Sequence, residues 1–169
     1  MISRQSFQMQ TNPTIVLGID PGTKRIGYGA VRRKGQELCL VEAGLLPLKN
    51  ISGQELIRET KVHTDRLIKK FRPSLISVEK IFFVKNLKTG IAVAQARGVI
   101  LLAAAEHGVP VREYSPTEIK LGLTGYGLAD KRAVLKMVRL CLKEPGLRVV
   151  DDASDALASA IVALHTLKA

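Results

Sequence analysis

Residues 14–48 hold three apolar runs separated by turns of only a few residues, and that spacing restricts this part of the chain to an antiparallel meander. The first run, 14–20, contains Ile15, Val16, Leu17 and Ile19, dense enough in β-branched and aliphatic residues for a buried strand. A Pro21-Gly22 turn leads to the second run at 26–34, and Gly35 leads to the third at 37–48. The first run has an odd ending: in VLGIDPGTKRIGYG, residues 16–29, it stops at the carboxylate of Asp20. A strand tip in a protein core has no need of a charge. A bound metal ion does need one there, and a Gly-Thr turn also suits a nucleotide phosphate.

Downstream, the pattern changes period. Ser52 and Glu55 have capping-box spacing, which predicts a helix to about residue 71, stopped by Pro73. LISVE, residues 75–79, is the next strand and again ends in an acid, Glu79. Asn86 is placed to cap a long helix running to about His107, with Gly108 as its stop. VPVREY reads as a short strand, and SPTE at 115–118 combines a capping Ser, a first-turn Pro and a Glu. A basic helix follows over about 130–143, and a last helix runs from the Asp151-Asp152 doublet to about Leu167. Three strands, helix, strand, helix, strand and helices predict an α/β fold: a mixed sheet with helices on its faces. A helical crossover sets the 75–79 strand parallel to the first, so that Asp20 and Glu79 emerge at one edge.

The last helix supplies two more acids. Asp152 and Asp155 are three residues apart and share a helical face, while Leu157, Ile161, Leu164 and Leu167 form its packing stripe. Alone, two Asp residues in a first turn read as caps. Gathered with Asp20 and Glu79, they would repel unless protonated or neutralised. A pair of Mg²⁺ or Mn²⁺ ions supplies that neutralisation and can drive phosphodiester hydrolysis.

The charge balance points the same way: 26 Lys and Arg against 15 Asp and Glu leave +11, as expected of a protein that meets a polyanion. An anionic membrane is the weaker reading, because the longest apolar run, 99–105, is far short of the roughly 18 residues a span requires. Residues 1–13 are polar and lack the apolar centre of a signal peptide, so they read as a flexible extension, or as a displaced start, ahead of a single domain at 14–169. Cys39 and Cys141 form no CxxC pair and read as reduced core residues of a cytosolic protein. The histidines, His63, His107 and His165, have no ligand partner at helical spacing.

The segment KIFFVKNLK follows Glu79 in a chain with four Phe, three Tyr and no Trp, so two adjacent Phe beside an acid suggest a wedge against unstacked bases. Core packing is the alternative for either ring. Lys80, Lys85, Lys88 and Arg97 surround the segment, and Lys120, Lys131, Arg132, Lys136 and Arg139 form a second basic group suited to phosphates.

Four strings, GIDPGTKRIGYG, VEKIFFVKN, AQARGV and DDASDALASAI, occur in an order that resembles the RuvC family, bacterial endonucleases that resolve Holliday junctions. The resemblance covers about residues 15–167. It implies a ribonuclease H-like fold, a five-stranded sheet, and Asp20, Glu79, Asp152 and Asp155 as catalytic ligands of two Mg²⁺, with Mn²⁺ as a substitute. The family has a single acid three positions before the final Asp, so the doublet leaves Asp151 as a cap or an outer neighbour. The resemblance further implies that Phe82 contacts the junction while Phe83 faces inward, and that Lys120 and Lys131 stand beside the active site. It also implies a cytoplasmic homodimer that works with a branch-migration motor of the RuvA–RuvB type. The helix at 86–107 suits dimerisation, since its apolar residues spread around much of its circumference.

Three rival readings remain. DPGTKRIG also resembles the first phosphate loop of actin-like ATPases and sugar kinases, but 169 residues leave no room for their second domain and DDASDAL would be unexplained. A YqgF-type nuclease acting on RNA precursors is nearer. A junction-binding module without activity is the third, and the presence of all four acids argues against it.

Overall fold

The computed structural model describes residues 14–22, 24–48, 51–80 and 87–167, with the side chains of 87–89 outside that description. The three apolar runs form the meander: β1 (Thr14–Asp20), β2 (Gly27–Lys34) and β3 (Glu37–Leu45). β1 and β2 pair antiparallel with Asp20 opposite Gly27, and β2 pairs with β3 through an irregularity between Ala30 and Val31. The third strand stops three residues before the predicted 48. Pro47 has no N–H to give a ladder, and Leu46 instead donates its N–H to the Ile26 carbonyl at 2.9 Å.

α1 (Gly53–Phe71) carries the chain over the sheet to β4 (Leu75–Glu79), which lies parallel to β1. Its start differs from expectation, because Ser52 is the N-cap residue but its side chain makes no capping hydrogen bond. Gly53 follows at φ +56°, a left-handed turn that leads the chain into the helix by another route. α2 (Leu87–Glu106) then leads to β5 (Val111–Tyr114), parallel to β4. Gly108 takes φ +64° just beyond α2, as its sequence role requires. The sheet order is β3-β2-β1-β4-β5, the predicted mixed five-stranded sheet.

Two helices, α3 (Pro116–Thr124) and α4 (Lys131–Leu142), precede α5 (Asp151–Thr166). The Ser115–Glu118 capping box forms in full, and Asp130 caps α4 through the Ala133 N–H at 2.8 Å. Strand alternation divides the core in two. Val16, Val31 and Leu75 pack on one face with α3, α4 and α5, while Leu17, Ile19, Ile76 and Val78 pack on the other with α1 and α2.

Cys39 is a correction: with Leu38 turned inward, the next residue of β3 faces out, so Cys39 is exposed and only Cys141 is partly buried. The expectations for residues 1–13, Phe82, Phe83, Lys85 and the Asn86 cap lie outside the described residues, as does the side chain of Lys88. Among the described residues no helix is long and apolar enough to cross a membrane.

Candidate active site

The parallel pairing of β1 and β4 sets Ile19 opposite Val78, so the following residues, Asp20 and Glu79, leave the sheet side by side at its carboxyl edge. Alternation puts Asp20 on the face of Val16 and Gly18, and Glu79 on the face of Leu75 and Ser77. That is the face α5 covers. The helix can lie unusually close because glycines line its path: a Cβ on Gly18 would stand 1.9 Å from the Ala156 carbonyl oxygen, and one on Gly27 2.1 Å from that of Asp152. Further along, Ser77 hydrogen-bonds the Ser159 side chain and donates to the Ser159 carbonyl at 3.2 Å, beneath the helix.

Gly27 is the β2 partner of Asp20, so the contact between Gly27 and Asp152 fixes the first turn of α5 beside the tip of β1. The N-cap is Val150, which removes Asp151 from the capping role. Asp151 is the exposed first residue of the helix and accepts a hydrogen bond from Lys131 Nζ at 3.0 Å. Asp152 and Asp155 are the partly buried members of the turn.

Burial pushes the Asp20 carboxyl up to about 8, with the negative charges of Glu79, Asp155 and Asp152 adding to the effect and Lys131 opposing it. Glu79 rises to about 7, again first through burial and then through Asp155, while Lys120 and Lys131 pull it down. Asp155 is raised by burial and lowered most by Lys131. The predicted acids and two predicted lysines therefore act on one another.

Arg25 was not singled out by its residue type or spacing. Its Nε lies 3.2 Å from Asp152 Oδ2, at an orientation that makes no hydrogen bond, so among the described residues that buried oxygen has no hydrogen-bond partner. A buried carboxylate oxygen that accepts no hydrogen bond among the described residues, beside raised carboxyls, belongs to a donor set suited to hard cations. Among the described residues no three acidic, imidazole or thiol side chains come close enough to share one ion. Mg²⁺ does not ask for such a cage, since it is held by one or two carboxylates and completes its shell with water and phosphate oxygens. The residues fit the ion in that sense.

The remaining basic positions divide. Lys80 approaches Glu118 at 3.4 Å, and its N–H donates to the Tyr114 carbonyl at 2.8 Å, continuing the line of β4 beside the acids. Arg97 is different: it pairs with Glu113, which neighbours Val78 in the sheet and so faces α2 rather than α5. Its charge is engaged by Glu113 on the face opposite the acids.

A mixed sheet in this order, with acids at its carboxyl edge under a C-terminal helix, defines the ribonuclease H-like class of nuclease folds. Residues 16–163 match the family described as crossover junction endodeoxyribonuclease RuvC. A crossover junction endodeoxyribonuclease RuvC of Roseiflexus sp. (strain RS-1) is 43% identical over 157 residues, covering 92% of each chain. The Thermus thermophilus RuvC structure superposes with a TM-score of 0.81 at 31% identity, covering 88% of this chain and 92% of that one. T. thermophilus RuvC in complex with Holliday junction substrate gives 0.82 at 32% identity with the same coverage. The chain belongs to the RuvC family of crossover junction endodeoxyribonucleases.

Proposed function

We propose that this chain resolves four-way junction DNA by paired symmetric nicks, with Asp20, Glu79, Asp152 and Asp155 holding two Mg²⁺ ions at the cut. The observation that carries the reading is the gathering of these four acids on the α5 face of one sheet edge, in a chain of this family. Bound there, Mg²⁺, or Mn²⁺ in its place, would activate water and stabilise the leaving oxygen of the phosphodiester. The chain's own contribution is position and charge. The sheet edge and α5 hold the carboxylates near one another before metal arrives, and Lys120 and Lys131 bring positive charge to where the scissile phosphate gathers negative charge. Lys80, Lys85 and Lys88 serve as phosphate contacts and Phe82 as the wedge at the crossover, with residues 1–13 as an extension outside the nuclease domain. Asp151 holds Lys131 rather than a metal, in keeping with its exposed position.

A junction has two strands to cut, so a two-fold dimer matches its substrate. Ile91, Gln95, Gly98, Leu102 and Ala105 form a single exposed stripe along α2 at alternating four- and three-residue spacing, the pattern of a helix seam. The dimer acts in the cytoplasm with a branch-migration motor of the RuvA–RuvB type.

Cleavage of a synthetic four-way junction in Mg²⁺, by wild type and by Asp20→Asn, with a linear duplex of the same sequence as control, tests the reading. Wild type makes paired nicks with 5′-phosphate ends. Asp20→Asn binds the junction but cuts at least about a thousandfold more slowly. Equal cutting by Asp20→Asn removes the metal site as drawn. Cutting of structured RNA but not of the junction moves the chain to the RNA-processing relatives, and binding without cutting in any metal makes it a junction-binding module.

A further inference from the structure

The turn between α3 and α4 presents more large apolar surface to water than its fold requires. Leu121 is 56% exposed, Tyr126 60% and Leu128 76%. They lie on and beside one turn that folds back on α3: a Cβ on Gly127, between Tyr126 and Leu128, would lie 2.9 Å from Thr117 Cγ2 and 4.0 Å from Leu121 Cβ. Internal hydrogen bonds fix the turn. Thr124 Oγ1 donates to the Lys120 carbonyl at 2.8 Å and accepts the Tyr126 N–H at 3.1 Å, and the Ala129 N–H closes onto the Tyr126 carbonyl at 3.1 Å. Gly125 supplies the left-handed residue at φ +77°. Leu123 and Ala129, on either side, are buried anchors. The chain thus builds a rigid mount and points Tyr126 and Leu128 outward from it, at no benefit to the core.

Position narrows the partner. The patch lies between Lys120 on α3 and Lys131 at the start of α4, the two lysines whose charge reaches Glu79 and Asp155. Arg132 adds a further exposed cation. A second copy brought onto this surface by two-fold symmetry would set these cations against themselves. Regular duplex DNA satisfies the cations and shows phosphates, sugars and base edges in its grooves, but its flat base faces are closed in the stack. Nucleic acid with bases splayed from the stack offers both: phosphates for the lysines and flat apolar faces for Tyr126 and Leu128.

We infer that Tyr126 and Leu128, with Leu121 behind them, form a second apolar contact for unstacked bases of the junction, on the α3–α4 side of the active site. The contact rests on the junction-DNA reading above and deepens it. It distinguishes branched from linear DNA, whereas the lysines hold both alike.

The test is the double variant Tyr126→Ser/Leu128→Ser, with junction and linear-duplex affinities measured by fluorescence anisotropy in EDTA and mass by analytical ultracentrifugation. Both side chains are exposed, so the melting temperature stays within about 2 °C of wild type. Junction affinity falls about tenfold while duplex affinity changes less than twofold, and 2-aminopurine at the crossover loses the quenching that wild type imposes. Tyr126→Phe restores most of the loss if a ring face makes the contact. An equal loss for junction and duplex, an unchanged junction affinity, or a shift in molecular mass each overturns the assignment, the last by making the patch a self-contact. If wild type itself shows no preference for the junction, the functional reading falls and takes the patch with it. A preference that survives in the double variant sinks the patch alone.

Discussion

Asp20 ordinarily titrates near 3.8, and this site holds it to about 8; Glu79 moves from 4.5 to about 7. In the metal-free protein the folded state therefore keeps protons that the unfolded chain has already released. Stability falls with rising pH wherever the native state binds more protons. This contribution is present in full below about pH 4 and is lost as pH climbs through 7 and 8. Urea unfolding in EDTA at pH 5.5 and pH 8 should show wild type losing more stability than Asp20→Asn/Glu79→Gln over that interval. Saturating Mg²⁺ should restore more stability to wild type at pH 8 than at pH 5.5, because the cation takes the place of the proton. Parallel pH slopes for the two proteins would mean that the acids do not strain the fold. The aim of the site is poised charge rather than stability.

Among the elements, α5 decides whether four acids scattered over the sequence become one site. Its inner residues Ala153, Ala156, Leu157, Ala160 and Ile161 are wholly buried, and small residues alternate with large so that the backbone can rest on β1 and β2. Gly18 and Gly27 are the other half of that contact. Neither takes a positive φ, so their absent side chains matter for space alone. Gly27→Ala should cost about 2–4 kcal/mol in urea unfolding, since the clash is with the backbone of Asp152 and no side chain can swing aside. It should also cut cleavage far more than its stability loss predicts, because lifting α5 separates Asp152 from Asp20 even in molecules that remain folded. An equivalent alanine at exposed Gly146, where an added Cβ meets nothing within 4 Å, should leave both stability and cleavage near wild type.

For the whole molecule, charge bears on what it meets, and the proposed dimer would place its seam on the exposed face of α2. The +11 excess is a long-range attraction for any nucleic acid, so affinity for junction and duplex alike should fall steeply with salt. Assembly is the more discriminating property. Leu102, 54% exposed, sits toward the C-terminal end of the stripe that starts at Ile91, while Ala96, Ile100 and Ala103 on the other side of the same helix are buried. Leu102→Arg should leave the fold intact and shift sedimentation toward monomer. With it should go the pairing of nicks: a monomer cuts one strand at a time, so nicked junctions accumulate ahead of resolved duplexes. Retention of dimer mass by Leu102→Arg would move the interface off this stripe.

Local order in the chain was enough for the meander, the alternation of helix and strand, and the strand-end acids. Those features depend on near neighbours: apolar spacing, turn residues, the Ser115–Glu118 box. The same locality misled at Ser52, where the residues of a capping box are present but the backbone enters α1 through a left-handed Gly53, and at Cys39, whose side of β3 depends on register rather than on apolar neighbours. The pairing of Arg97 with Glu113 of β5 likewise has no local sign in the chain. Gly18, in the middle of an apolar run, was the one local sign that something would approach that strand closely, but nothing in its neighbours says that the something is α5. Residue type and local spacing settle which acids the chain carries and that strand ends and a helix start present them. That they share one face, that Arg25 stands at Asp152 and that Tyr126 and Leu128 stay outside comes from the folded packing. Each of these depends on how residues far apart in the chain pack, and packing between distant segments leaves no period in the sequence to read.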